Sequence, residues 1–387
     1  MTHREHCTVC NEVVELLADH GFDGMAQAIE ILMNEAMKLE RADVLQAAPY
    51  ERTDERRGYA NGFKPKTVKS RLGRLELRVP QTRGVEFYPS TLERGERSER
   101  ALKLALAEMY VQGVSTRKVK KITQELCGLD VSSSDVSRAT ALLDEELEAW
   151  RNRPLGRVPY LILDARYEKV RHGGCVRDCA VLIAIGVLPE GKRSILGVSV
   201  SLSEAEVHWR DFLSSLIERG LHGIELITSD AHEGLRAARK ACFNGVPWQR
   251  CQFHLMQNAM QYVPKVAMRV EVADDLRAVF NAPDRNEAER QLSLAVEKYR
   301  DTAPKLSAWM EDAVPEGLSV FALPSSHRRK LRTTNMLERL NKEIKRRTRV
   351  ATLFPNEASL LRLISAVLIE TSEEWETGKT YLKLETD

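Results

Sequence analysis

The sequence predicts an α/β protein in which a mainly helical N-terminal region leads into a mixed sheet. Three observations carry this. Apolar residues recur at helical spacing over residues 11–48 and 99–150. Past Pro154 the pattern changes to short apolar runs, YLILD and LITSD among them, separated by turn residues and helical periods. Apolar residues make up 43% and charged residues 29% of the 387, a mixture that supports two or three packed domains and argues against wholesale disorder.

Residues 11–48 read as two helices broken around Gly21–Gly24, with Ile29, Leu32, Met33 and Met37 on one apolar face. Residues 49–66 are polar, basic and contain Gly and Pro, which predicts a loop or arm. Leu72, Leu75, Leu77 and Val79 around Gly73 predict a short basic hairpin ending at Pro80. One helix is expected over about 99–112, and a second after Gly113 with Val119, Ile122 and Leu126 as its apolar stripe. A turn at 127–129 leads to Ser132 and Asp135, spaced as a capping box for a third helix presenting Val136, Ala139, Leu143 and Leu147. Helix, Gly-containing turn and Ser-capped helix is the layout of a helix-turn-helix, whose second helix can enter a major groove. On that reading Ser133, Ser134, Ser137 and Arg138, with Arg117, are DNA contacts; the plain alternative is a packed helix pair.

In the α/β part, residues 159–165 predict a buried strand ending in Asp164. Residues 180–187 and 195–202 predict two antiparallel strands joined by a turn at 189–192. Residues 204–219 carry a helical period through Val207, Phe212, Leu213 and Leu216; residues 224–229 form another buried strand ending in Asp230, and 248–251 a fifth. A three-strand meander followed by helix, strand, helix, strand is the order of an RNase H-like sheet. The expected organisation is helices and a basic arm over 1–98, the helix-turn-helix region over 99–153, the first part of the catalytic core over 154–254, a helical insertion over 255–327 and the final core helices over 328–387.

The net charge of +2 averages over opposed segments. Between His327 and Arg349 ten Lys/Arg face two Glu, and between Arg52 and Arg78 nine face three acids. Localised basic segments on a near-neutral chain suit a protein that grips a polyanion with selected surfaces. No run of about 18 apolar residues and no signal-peptide layout occurs, so the protein is expected to stay in the cytoplasm where it is made, with no membrane partner. Seven cysteines without secretory context predict reduced thiols.

Asp164 and Asp230 each close an apolar strand, and adjacent strands in one sheet would place the two carboxylates side by side. Close like charges repel unless cations neutralise them, and hard oxygen ligands suit Mg²⁺ or Mn²⁺ rather than zinc. An isolated Asp in such a place more often caps the following turn. A third acid is supplied by a helix over 334–349 with Leu337, Leu340 and Ile344 as its buried stripe. Glu338 lies about 100° or more from that stripe and heads a face with Lys342, Lys345 and Arg349. A solvated Glu–Lys pair accounts for Glu338 and Lys342, but not for the basic density from Arg328 to Arg349 beside two strand-end acids.

The block RTTNMLERLNKEIKRRTRVATLFPNEAS (332–359) resembles the final catalytic block of the Mutator-type bacterial insertion-sequence transposases. LILDARYEKVR, LITSDAHEGL, WQRCQFHLMQN, RRGYANGFKPKTV and MYVQGVSTRKV resemble the same family, in the same order and across nearly the whole chain. The resemblance implies a DDE-type transposase with Asp164, Asp230 and Glu338 as its acidic triad, holding two Mg²⁺ or Mn²⁺ ions. It implies homodimers on double-stranded DNA, at terminal inverted repeats and at a target, with Arg328, Arg329, Arg332, Asn335, Lys342, Lys345, Arg346 and Arg349 as DNA contacts. Cys251 and His254 match a family Cys/Asp-x-x-His signature and, with His232, are expected to support the site rather than to ligate. The rival reading is a catalytically silent DNA-binding regulator derived from such an enzyme; a nuclease acting on RNA–DNA hybrids is a third. Cys7-x-x-Cys10 beside His3 and His6 is a lone pair and weak as a zinc signal. Trp309 reads as a core residue or as a platform for an unpaired base.

Overall fold

The computed structural model describes residues 2–349 and 353–384, with side chains from Thr8 onward, so the zinc question at Cys7 lies outside the described residues. The chain divides into two compact units, residues 1–143 and 144–387.

In the first unit α1 (Thr2–His20) and α2 (Met25–Leu45) are separated by a 3₁₀ turn at Gly21–Gly24, as the break in periodicity predicts. A hairpin follows, β1 (Tyr59–Ser70) and β2 (Gly73–Arg83), whose tight turn uses Gly73 at φ +120°. Leu75, Leu77 and Val79 alternate inward onto Met37, while Arg74, Glu76 and Arg78 face outward. The hairpin is longer than expected at both ends. Its first strand starts at Tyr59, inside the segment read as loop, because β1 is exposed along most of its length and shows no alternation to read. Leu72 sits in the turn and is exposed, and Leu32 is exposed on α2.

Helices α3 (Arg100–Val111), α4 (Thr116–Cys127) and α5 (Ser133–Thr140) close a small core of Leu102, Leu106, Val119, Leu129, Val136 and Ala139. Ser115 caps α4, Gly128 at φ +63° ends it, and the Ser132–Asp135 capping box opens α5 as the spacing predicts. Leu126, expected on the apolar stripe, is 78% exposed. The third helix is not continuous. It stops at Thr140, passes through a 3₁₀ turn at Ala141–Leu143, and α6 (Asp144–Arg151), which buries Leu147, belongs to the second unit.

The second unit is built on five strands, β3 (Tyr160–His172), β4 (Cys175–Val187), β5 (Arg193–Ser201), β6 (Leu226–Ser229) and β7 (Trp248–Arg250), with α7 (Glu206–Glu218) and α8 (Glu233–Cys242) between the later ones. Their order is β5-β4-β3-β6-β7, antiparallel across β5, β4 and β3 and parallel across β3, β6 and β7. Leu161, Leu163 and Ile227 point to one face and pack with Trp209, Phe212, Leu213 and Leu216 of α7 and Leu235 and Ala238 of α8. Val207, read as part of that stripe, is exposed. Asp164 does not end its strand. The short β6 pairs only with Tyr160–Ile162, and β3 runs on against β4 as a hairpin arm that turns at Gly173 and Gly174, both in the left-handed region.

The helical segment expected after the sheet comprises α9 (Gln252–Ala259), α10 (Arg269–Phe280), α11 (Arg285–Tyr299) and α12 (Pro304–Ala313), followed by two 3₁₀ turns. It is tied back at Gly317, whose carbonyl accepts from both Gln249 and Gln252. A Cβ there would fall 2.5 Å from Leu255 Cδ1, so any larger residue would have to displace that side chain. Finally α13 (Ser325–Leu331), α14 (Asn335–Thr348) and α15 (Glu357–Thr377) lie on the other sheet face. Thr228 Oγ1 donates to the Leu331 carbonyl at 2.8 Å, the Tyr160 hydroxyl meets His327 Nδ1 at 3.2 Å, and the Ser372 hydroxyl accepts from Ile195 N–H at 3.0 Å. Among the described residues no helix is long and apolar enough to cross a membrane.

Candidate active site

The parallel register brings the first two acids together. Ile162 pairs with Thr228, and two residues further along each strand stand Asp164 and Asp230. Strand alternation turns both toward the face covered by α13 and α14, the face that Thr228 and Tyr160 also contact. Burial is the largest influence on the Asp164 carboxyl and pushes it up to about 6, with the Asp230 charge adding to the rise; His254 and the Asn341 amide oppose it.

Helix α14 presents one polar stripe to these strands. Residues 334, 338, 341 and 348 share that face, at spacings of four, three and seven. At its start Thr334 N–H donates to Cys251 Sγ at 3.4 Å, and the Thr334 hydroxyl lies 3.4 Å from the same sulfur. Two turns on, Asn341 Nδ2 donates to Asp164 Oδ2 at 3.0 Å, while Arg166 Nη1 donates to the Asn341 carbonyl at 2.6 Å. At its end the Thr348 hydroxyl bonds Glu168 Oε1 at 3.2 Å, and Glu168 pairs with Arg166. Glu338 is bracketed by these contacts, one turn after Thr334 and one before Asn341, so it lies on the side of α14 that meets Cys251 and Asp164. Its Oε1 is buried with no hydrogen-bond partner. A desolvated carboxylate oxygen left unpaired is costly, and a cation is what would satisfy it.

Cys251 is buried and anchors the start of α14, and His254 follows one turn along α9 with Nδ1 3.8 Å from Asp230 Oδ1. The Cys251 sulfur, then the Asp230 and Asp164 carboxylates, raise His254 to about 9 against the opposing pull of burial. His232 turns instead toward Glu204, 3.7 Å away. The sequence reading missed Asn341, Arg166 and Thr334, whose partners lie far away in the chain. Among the described residues no three His, Cys, Asp or Glu side chains are grouped closely enough to hold a metal ion as they stand. The arrangement is a carboxylate pair with a third, unpartnered carboxylate on α14.

The basic residues divide into two sets. Lys342, Lys345 and Arg349 are exposed on α14 with no ion pair among the described residues, and Arg329 and Asn335 are exposed near its start. Arg346 forks onto Glu343 yet stays 58% exposed. Arg328 and Arg332, expected to be DNA contacts, are engaged within the protein. Arg328 donates to the carbonyls of Leu323 and Pro283, and Arg332 to the Phe280 carbonyl and Asn281 Oδ1, so both tie the helical segment to the end of α13. Buried Arg347 is held between Glu343 and Glu370. In the first unit Arg117, Ser133, Ser134, Ser137 and Arg138 are all exposed, with Arg138 paired to Asp135. Trp309 stacks on Tyr262 at 5.4 Å rather than lying deep in a core.

Comparison with known proteins assigns the sequence to a family. The profile of the family described as "Transposase, Mutator family" matches residues 1–378. The chain is 58% identical over 368 residues to the transposase for insertion sequence element IS406 of Burkholderia multivorans, covering 95% of each protein. It is 44% identical over 386 residues to that for ISRM5 of Rhizobium meliloti, covering 100% of this chain and 96% of the relative. It is 38% identical over 377 residues to that for IS256 in transposon Tn4001 of Staphylococcus aureus, covering 96% of each. The chain belongs to the Mutator family of transposases.

Proposed function

We propose that this protein cleaves DNA at the inverted-repeat ends of its own insertion sequence and joins the freed 3′-hydroxyl to a target, with Asp164, Asp230 and Glu338 as metal-holding catalytic residues. The observation that carries the reading is the buried, partnerless Glu338 Oε1 on a helix whose neighbouring contacts reach Asp164 and Cys251. The sheet order and strand directions support an RNase H-like core. The α4–α5 pair, with its capped second helix and exposed Arg117, Ser133, Ser134, Ser137 and Arg138, supports a helix-turn-helix reader. The relatives named above, each a transposase for an insertion sequence element, support the same reading.

The donor chemistry fits hard divalent cations: Asp164 and Asp230 follow adjacent paired strands, and Glu338 lies on the helix whose Asn341 contacts Asp164. Two Mg²⁺ or Mn²⁺ ions held there would supply Lewis acidity at the scissile phosphate and make a water or 3′-hydroxyl a better nucleophile. The chain's own residues do the rest. Asn341 fixes the Asp164 carboxylate and favours its charged form, and Arg166 holds the backbone of Asn341 in place. Cys251 seats the first turn of α14 and so sets the height of Glu338. Lys342, Lys345 and Arg349 line the exposed side of the helix for phosphate contact. Action at two DNA ends favours a homodimer.

The test is strand cleavage and joining on end-containing oligonucleotides with Mg²⁺, using wild type and Asp164→Ala, with DNA binding measured in parallel. Wild type joins ends and the variant only binds them. A wild-type protein that binds ends but never cuts or joins them would support the silent-regulator reading instead.

A further inference from the structure

A second cationic niche lies beyond the acidic site, at the edge strand. Arg193 opens β5, and its guanidinium lies over two rings, 4.2 Å from the centroid of Trp375 and 4.8 Å from that of Tyr381. The tail after α15 makes this clamp by crossing the β4–β5 turn, where Tyr381 and Leu382 N–H both donate to the Gly191 carbonyl. The crossing is so close that a side chain at residue 191 would fall 1.6 Å from the Leu382 carbonyl oxygen. Arg193, Arg339, Trp375 and Lys379, with the acid Glu374, line one open cavity of about 310 Å³. None of the three cations makes a side-chain hydrogen bond or ion pair among the described residues; burial first, and then the Arg339 charge, lower the Arg193 guanidinium against the pull of Tyr381 and Glu374.

Two guanidiniums and an ammonium around one cavity, against a single carboxylate, repel one another unless an anion joins them. The two ring contacts hold the Arg193 guanidinium in place while its N–H fork has no protein partner among the described residues, which suits bidentate phosphate recognition. Arg339 directly follows Glu338, so α14 carries both a cation of the niche and the third candidate acid. We propose that the Arg193–Arg339–Lys379 niche binds a phosphodiester group of the DNA strand engaged at the carboxylate site. This rests on the transposase reading above.

The test uses the full chain, an end-containing duplex and binding measured over a salt series, comparing wild type with Arg339→Ala/Lys379→Ala and with Arg193→Lys. Each lost phosphate contact lowers the slope of log affinity against log salt by about 0.9, so the double variant is expected to lose between about 1 and 2. Arg193→Lys keeps the charge and loses the fork, so its affinity falls while its slope holds. Melting temperatures are expected to be unchanged in the double variant, because both residues are exposed. Thermal shift with inorganic phosphate and no DNA separates the other source of this chemistry. An unchanged slope with a phosphate shift present only in wild type makes the niche a free-anion site and overturns the proposal, as does an unchanged slope with no shift. If wild type binds no end DNA, the transposase reading falls with it; if wild type binds and cleaves and the double variant matches it, this inference falls alone.

Discussion

Replacing Asp164 by Asn should stabilise the metal-free protein while abolishing its chemistry. Burial moves the Asp164 carboxyl from 3.8 to about 6, so holding it ionised at neutral pH costs up to about 3 kcal/mol relative to the unfolded chain. Asn has the same shape, needs no ionisation, and retains an oxygen to accept from Asn341. It forgoes the attraction of His254, so a net gain of about 1–3 kcal/mol is expected. At about 2–4 °C per kcal/mol for a unit of this size, that is a rise of several degrees in Tm. The sign follows from linkage. An acid whose folded pKa is raised keeps its proton in the folded state after the unfolded state has released it, so wild-type stability falls as pH rises from 3.8 through about 6. The advantage of Asp164→Asn should therefore be full at pH 7 and fade toward pH 4. Thermal unfolding without divalent cations across this range measures it, and added Mg²⁺ should raise the wild-type Tm but not the variant's. A variant less stable than wild type at pH 7, or a gain independent of pH, would refute the reasoning.

Asn341→Ala removes a hydrogen bond to a charged group, worth about 1.5–3 kcal/mol, and should raise the Mg²⁺ concentration needed for half-maximal cleavage by about 10- to 100-fold; a metal titration of cleavage rate reads it directly. Asp135 accepts from Ser132 and Lys69 and is held at about 2, so its contribution is present above pH 3.8 and lost as pH falls toward 2. Asp135→Ala should cost the first unit about 1 kcal/mol as a lost cap, seen in denaturant unfolding at neutral pH. Alanine at Lys342, Lys345 and Arg349 together should flatten the salt dependence of DNA binding by up to about 3 while leaving Tm unchanged, as anisotropy titrations would show.

The strands carrying Asp164 and Asp230 were legible because a buried strand needs an unbroken apolar run, and an acid at its edge stands out. Where β3 ends was not legible. YEKVRH is an exposed hairpin arm whose extension depends on pairing with β4, which no local pattern reports. Helical period set Glu338 apart from the Leu337–Leu340–Ile344 stripe but grouped it with the exposed Lys342, Lys345 and Arg349; its setting depends on Thr334 and Asn341 meeting Cys251 and Asp164, 83 and 177 residues away. Basic density likewise named a surface without sorting it. Arg328 and Arg332 read like their neighbours, but the backbone carbonyls they satisfy come from the helical segment, and only folding brings those carbonyls to them. Leu126 and Leu32 show the opposite error, since helical spacing assigns a stripe without saying how wide the covering surface is.

The central claim is that Asp164, Asp230 and Glu338 act as one metal-holding set on DNA. Glu338→Gln tests it most directly, because the amide keeps the size of the side chain and removes the charge whose Oε1 has no partner. In a Mg²⁺-dependent cleavage and joining assay on end-containing DNA, with binding measured on the same samples, the account predicts wild-type binding and at least about a thousand-fold loss of both chemical steps, a size typical of a lost electrostatic group at a phosphoryl-transfer site. A Glu338→Gln protein that cleaves and joins at the wild-type rate would contradict it.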